Sequence, residues 1–161
     1  MIDQATLKEL LHYDPDTGVF TWIKTTSNRV KIGDRVGNVM KAGYIEARIL
    51  GKRTYLHRLA HLYMTGKWPE GDVDHINGDR ADNRWHNLRD VSRRTNLQNR
   101  RSSHSRSSVG LLGVACNGDR YRAQIKLPTG KTKYIGLYDT PEEAHEAYLM
   151  AKRKHHEGCT I

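Results

Sequence analysis

Cysteine is scarce in this 161-residue chain: Cys116 and Cys159 are the only two, and no CxxC pair occurs. A disulfide-rich scaffold is therefore not expected, and neither is a structural zinc knuckle, which needs closely spaced thiolates. Long apolar runs are missing as well. None approaches the roughly 20 residues of a membrane span, and mean hydropathy is −0.77, so an integral membrane protein is excluded and no membrane partner is expected. The first residues, MIDQATLKEL, show no basic stretch followed by a long apolar core. No secretory signal is read there, and a cytoplasmic location is the expectation. Acidic residues are outnumbered, 18 against 27 Lys+Arg, giving a formal net charge of +9. A phosphate-rich partner is the first reading of that balance, and solubility alone is its rival.

The charge is unevenly placed. Residues 89–110 carry six basic groups and one acidic group, whereas residues 71–88 carry Asp72, Asp74, Asp79 and Asp82 against two arginines. An acidic island in a basic chain repels a phosphate backbone unless a divalent cation bridges the two, binding carboxylate and phosphate oxygens together. The plainer reading is a polar, turn-rich loop, because Asp and Asn also favour turns.

Patterning places these residues on elements. Leu7, Leu10 and Leu11 have helical spacing within 4–12, and DPDTG is a turn before the β-prone run 19–23. Residues 44–50 and 53–56 read as strands around a Gly51-Lys52 turn. Residues 57–65 read as a helix stopped by Gly66 and Pro69. Strands at 73–76 and 87–91 flank a loop, and Ser92 is placed to cap a helix through Arg101. The Ser-rich stretch 102–109, approached by Arg93, Arg94, Arg100, Arg101 and Arg106, reads as a basic linker. Beyond it, 113–116, 120–127 and 131–137 read as three strands. Thr140-Pro141-Glu142-Glu143 announces a helix through a capping box with Pro at its first position. No internal repeat is present.

The run VDHINGDRADNRWHNLRDVSRRTNLQNR, 73–100, carries Asp74-His75 at a strand end, Asp82-Asn83 in the loop, Asn87-Leu88-Arg89 on the second strand and Asn96 on the helix. It resembles the HNH endonuclease family in its phage and intron homing branch, over roughly residues 44–101. The resemblance implies a ββα-metal unit, with its core at about 73–101, holding one divalent cation per active site. Phosphodiester hydrolysis needs an activated water, charge stabilisation on the phosphate and help for the leaving 3′ oxygen. His75 is the candidate general base, since an imidazole titrates near working pH. Asp74 and Asn96 are the candidate metal ligands, oxygen donors suited to Mg²⁺ or Mn²⁺. Asn87 is expected to accept the other N–H of His75 and fix its tautomer. Asn stands where other family members have the final His, which favours a hard metal over zinc.

Other residues carry weaker signals. His57 and His61 stand four apart on a helix, but HRLAH lacks the Glu of HExxH, so a zinc protease reading is poor. His57 is read as structural or near the phosphate. Trp85 is read as packing the loop, and Trp22 and Trp68 as core or rim residues.

Residues 109–158 contain Gly113-Val114, Tyr121-Arg122-Ala123-Gln124-Ile125, Gly130-Lys131, Tyr134-Ile135-Gly136, Tyr138 to Ala144, and Ala147-Tyr148. This pattern resembles the AP2 DNA-binding domain, known in plant transcription factors and fused to phage HNH nucleases. It implies a three-stranded antiparallel sheet packed on one helix. The first strand departs from the family, with Val114-Ala115-Cys116-Asn117 where aromatic or arginine-rich residues are common. Arg120, Arg122, Gln124 and Lys126 alternate onto one face that can enter a major groove, Arg suiting guanine and Gln adenine. Lys131 and Lys133 are read as phosphate contacts.

The expected architecture is therefore α+β: an HNH endonuclease domain over 1–101, a linker over 102–109 and an AP2-like domain over 110–161. The expected activity is metal-dependent nicking of double-stranded DNA by a monomer inside the host cell, with a dimer as the route to a double-strand break. Arg93, Arg94, Arg100 and Arg101 are further expected DNA contacts. The rivals are a DNA-binding regulator with an inactive HNH unit and an HNH nuclease of phage replication or packaging. An RNA-binding module is disfavoured, for want of an RNP-like pattern of exposed aromatics.

Overall fold

A computed structural model describes residues 2–24, 30–99, 109–156 and 159–160. The chain divides into two compact units, Met1–Arg93 and Arg94–Ile161. The expected linker lies outside the described residues except for Val109, and so do Arg100, Arg101 and Arg106. Among the described residues no helix is long and apolar enough to cross a membrane.

The first unit opens with α1 (Gln4–Leu10), capped by Asp3, whose carboxylate accepts the Thr6 N–H at 2.8 Å. The sequence pattern extends this helix to His12, but the chain leaves it at Leu11 for β1 (Leu11–Asp14). Leu11 faces inward under either periodicity. Tyr13, 2 % exposed, is buried only if the backbone alternates, with His12 outward. Asp14 closes the turn by accepting the Asp16 and Thr17 N–H groups, and β2 (Val19–Trp22) pairs antiparallel with β1.

A second sheet, ordered β3-β4-β5, comprises Asn38–Val39, Ile45–Ile49 and Lys52–Tyr55. Then α2 (Leu56–Thr65) buries Leu56, His57, Leu59, Ala60 and Leu62 and stops at Gly66 in the left-handed region. A third antiparallel pair, β6 (Asp72–His75) and β7 (Leu88–Val91), is joined by a polar loop ending in a 3₁₀ turn, Trp85–Asn87. One apolar cluster, including Leu7, Leu11, Tyr13, Phe20, Trp22, Ala47, Leu59, Val73 and Leu88, joins α1, β1, β2, β4, α2, β6 and β7. Trp68 and Trp85 pack against its rim.

The tip of the β1–β2 hairpin holds the polar loop. The Tyr13 hydroxyl donates to the Asn83 carbonyl at 2.7 Å, and the Trp85 N–H donates to the Pro15 carbonyl at 2.8 Å. Gly18 has φ +72° and lies so close that a Cβ would overlap the backbone of Asn83 and Arg84.

The second unit begins within α3 (Arg93–Gln98), at Arg94, and of the helix's expected continuation Arg100 and Arg101 lie outside the described residues. Its sheet, ordered β10-β9-β8, comprises Thr132–Tyr138, Arg120–Lys126 and Val114–Asn117, antiparallel throughout. On it packs α4 (Pro141–His155), with both bonds of the Thr140–Glu143 capping box formed and Pro141 in its first turn. Ala123, Val114 and Ala144 are the buried centre.

The clamp yields a stability test. Gly18→Ala meets both a left-handed φ and a backbone overlap, whereas Gly51→Ala, at φ +81°, meets open space. Gly51→Ala is expected to cost about 1–2 kcal/mol, and Gly18→Ala about 1–3 kcal/mol beyond that, read by urea denaturation.

Candidate active site

The candidate site grows from the end of β6 in the first unit. In the β6–β7 register Asp74 faces Arg89 and His75 faces Leu88. Period-two alternation puts Val73 and His75 on one face and Asp74 on the other. His75, 4 % exposed, is held by Asn83: its Nε2 lies 3.2 Å from Asn83 Oδ1. The Asn83 amide nitrogen points at the Ala81 carbonyl, so Oδ1 is the end that meets the imidazole. An oxygen acceptor puts the proton on Nε2 and makes Nδ1 the lone-pair nitrogen. Burial lowers the His75 pKa below the ordinary imidazole value, against the upward pull of the Asn83 bond and of Asp74, Asp79 and Asp82. The ring is thereby poised as a neutral base.

A second imidazole adjoins it. The His57 ring meets His75 edge to face, centroids 5.1 Å apart at 79°. It stacks on Tyr55 at 5.4 Å and lies 5.2 Å from Tyr44. Burial first, then the neighbouring His75 and Arg58, push its pKa down to about 3. Tyr44 also lies under the Arg80 guanidinium, which donates to the Ala42 carbonyl. His61 is not part of this group. Its Nδ1 lies 3.0 Å from the Lys67 carbonyl oxygen and its Nε2 lies 3.6 Å from Asp90, so His57 and His61 form no joint ligand pair.

The orienting acceptor expected at Asn87 is at Asn83 instead. Asn87 is buried, but its Oδ1 accepts the Asn77 N–H at 2.9 Å and its amide donates to the Asp82 carbonyl at 2.8 Å. Both its polar ends are spent folding the loop. Asp82 is tied to Arg84 and to the Asn77 amide, and the Arg84 bond leads in holding its carboxyl down at about 2. Asn83 was visible in the sequence only as half of the Asp82-Asn83 pair, since nothing in spacing alone distinguishes it from Asn87.

Asp74 is 8 % exposed, and its Oδ2 accepts from Arg89 Nε and Nη2 at 3.0 and 2.8 Å. A buried carboxylate suits a hard cation that takes one or two protein oxygens and completes its shell with phosphate and water. No group of three His, Cys, Asp or Glu side chains able to hold an ion stands together among the described residues, so these residues build no all-protein cage. Asn96 lies half-buried on α3 in the second unit; the geometry above is that of the first unit alone.

The expected DNA-contacting residues take varied positions. Arg93 and Arg94 are exposed. On β9 the guanidinium of Arg120 pairs with Asp139 at 2.8 Å and donates to the Leu137 carbonyl. Arg122 and Gln124 are half-buried, and Arg122 Nε is sealed without a partner. Lys126, Lys131 and Lys133 are exposed, Lys133 reaching His155 at 3.3 Å.

Residues 54–98 match the HNH endonuclease family model, and the match assigns endonuclease chemistry to that segment. It spans α2, β6, the loop, β7 and α3. Among solved structures the chain is similar to the HNH homing endonuclease I-HmuI, determined in the context of DNA binding and cleavage by that protein. Identity is 22 %, coverage 92 % of this chain and 88 % of that one, and TM-score 0.44. No curated protein matches the chain.

The two buried imidazoles make stability depend on pH. Both titrate lower in the fold than in the unfolded chain, so below about pH 6.5 the unfolded chain takes up protons that the fold refuses. Stability is full above that value. It is expected to fall toward acid by up to about 1.4 kcal/mol per pH unit for each group, the His57 part continuing to about pH 3. Urea titrations across this range check the slope.

Proposed function

We propose that the chain is a divalent-metal-dependent DNA endonuclease that hydrolyses one phosphodiester per site, with His75 as general base. The observation that carries this reading is the buried His75, its Nε2–H directed at Asn83 so that Nδ1 carries the ring's lone pair, inside the segment that matches the HNH endonuclease model. His75 Nδ1 takes the proton of the attacking water. The new P–O bond forms as the bond to the 3′ oxygen breaks, leaving 3′-OH and 5′-phosphate ends. Asp74 is the residue of the first unit that would hold the cation. When bound, a Mg²⁺ or Mn²⁺ ion supplies Lewis-acid stabilisation of the phosphate and the leaving oxygen. Asn83 holds the base in register, and Asn87 holds the loop that holds Asn83.

The second unit is proposed to read DNA in the manner of an AP2 domain. Its three-stranded sheet on one helix supports this, with Arg122, Gln124 and Lys126 alternating along β9 on the face opposite buried Ala123 and Ile125. Lys131 and Lys133, exposed on and beside β10, suit phosphate contacts. One site per chain fits nicking by a monomer. A phage homing role inside a host cell is the biological setting we favour. One observation favours a second reading, a DNA-binding regulator with a silent HNH unit: the Arg89 guanidinium already occupies Asp74 Oδ2.

A supercoiled plasmid carrying the native locus separates these readings. Conversion to open circles is expected with Mg²⁺, none with EDTA, and a loss of about 10²–10⁴-fold in His75→Ala. Retarded mobility of the same DNA without cleavage leaves the regulator. In the same assay Asn83→Ala is expected to slow cleavage more than Arg84→Ala, since only the first strips the imidazole of its acceptor.

A further inference from the structure

His57 carries a polar ring that the reaction above does not use. It lies in the first turn of α2, 6 % exposed, between Tyr55, Tyr44 and His75. Its Nδ1 is sealed from solvent and has no hydrogen-bond partner; of its two ring nitrogens only this one is both. An orphaned buried acceptor is tolerated more often than an orphaned buried N–H. The proton therefore belongs on Nε2. Burial and two cationic neighbours, Arg58 and His75 when charged, keep the ring uncharged. A phenylalanine would stack on the same tyrosines and leave no orphaned nitrogen. Packing alone does not account for a polar ring there.

We propose that His57 is a second substrate-contacting imidazole of the nuclease site, its neutral Nε2–H donating to a non-bridging oxygen of the phosphate attacked beside His75. The inference rests on the nuclease reading. Negative charge on the non-bridging oxygens grows toward the transition state, so the bond strengthens as the reaction proceeds and acts on turnover more than on binding. A neutral donor suits this position, since a second cation against His75 would weaken the base.

The test uses the full chain, a supercoiled plasmid with Mg²⁺, and DNA affinity in EDTA. His57→Phe is expected to keep its urea midpoint and its metal-free affinity while single-turnover cleavage falls by about 10²-fold. His57→Gln, which returns a neutral N–H near Nε2, is expected to recover part of that loss. With a phosphorothioate at the cleaved position, one stereoisomer should slow the native chain without rescue by Mn²⁺, and that slowing should vanish in His57→Phe. A Phe variant that cleaves like the native chain overturns the inference alone. So does a folded Gln variant no faster than Phe, or a sulfur effect that Mn²⁺ rescues in full for both stereoisomers. A native chain that cleaves no DNA with any divalent metal overturns the nuclease reading, and this inference falls with it.

Discussion

The first unit depends on a clamp between the β1–β2 hairpin and the polar loop before β7. Asn83 is its centre. Its carbonyl accepts the Tyr13 hydroxyl, its backbone fits against a glycine that admits no side chain, and its amide holds His75. One residue thus transmits the position of an apolar hairpin to the His75 ring. Tyr13 is buried where a phenolate is disfavoured, and burial raises its pKa, so its hydroxyl stays a donor. The polar loop has little apolar area of its own to bury. Its shape comes from bonds that end on a packed hairpin, together with the internal ties of Asn77, Asp82 and Asn87.

Desolvation is what turns this geometry into chemistry. An exposed histidine is largely neutral at pH 7 but is half protonated near 6.5. Sinking His75 and His57 beneath Tyr44 and Tyr55 removes water from both rings and moves each toward the neutral form. The Asn83 bond and the carboxylates of Asp74, Asp79 and Asp82 pull His75 back upward, whereas His57 has His75 and Arg58 as charged neighbours and is driven to about 3. Two imidazoles of one sequence, about five ångström apart and both buried, thereby meet opposite neighbouring charges.

Much of this was legible in the residues. The strand–loop–strand unit, the α2 helix with its Gly66 stop, the capping box of α4 and the three strands of the second sheet follow from periodicity and turn chemistry. Asp74 and His75 came instead from the resemblance of 73–100 to the HNH family, and both stand at the end of β6. The start of β1 was not legible, because Leu7, Leu10 and Leu11 satisfy a helix whether or not Tyr13 must turn inward. Nor was the partner of His75. Asn77, Asn83 and Asn87 are alike as residue types, and which of them reaches the imidazole is decided by a contact with Tyr13, 70 positions away in sequence. The burial of His57 had the same character: helical spacing pairs it with His61, while tertiary packing pairs it with His75 and sends His61 to Lys67 and Asp90.

The alternation of β6 assigns separate tasks to adjacent residues. His75 turns toward α2, into an environment that strips charge from an imidazole. Asp74 turns to the opposite face, where Arg89 across the β6–β7 pair gives its Oδ2 two hydrogen bonds. On the nuclease reading a base and a cation ligand want different surroundings, one apolar and one polar. A single strand satisfies both by its pleat. On the nuclease reading, a cation held by Asp74 would have to compete with the Arg89 guanidinium for Oδ2, so this ion pair bears directly on how the site would load.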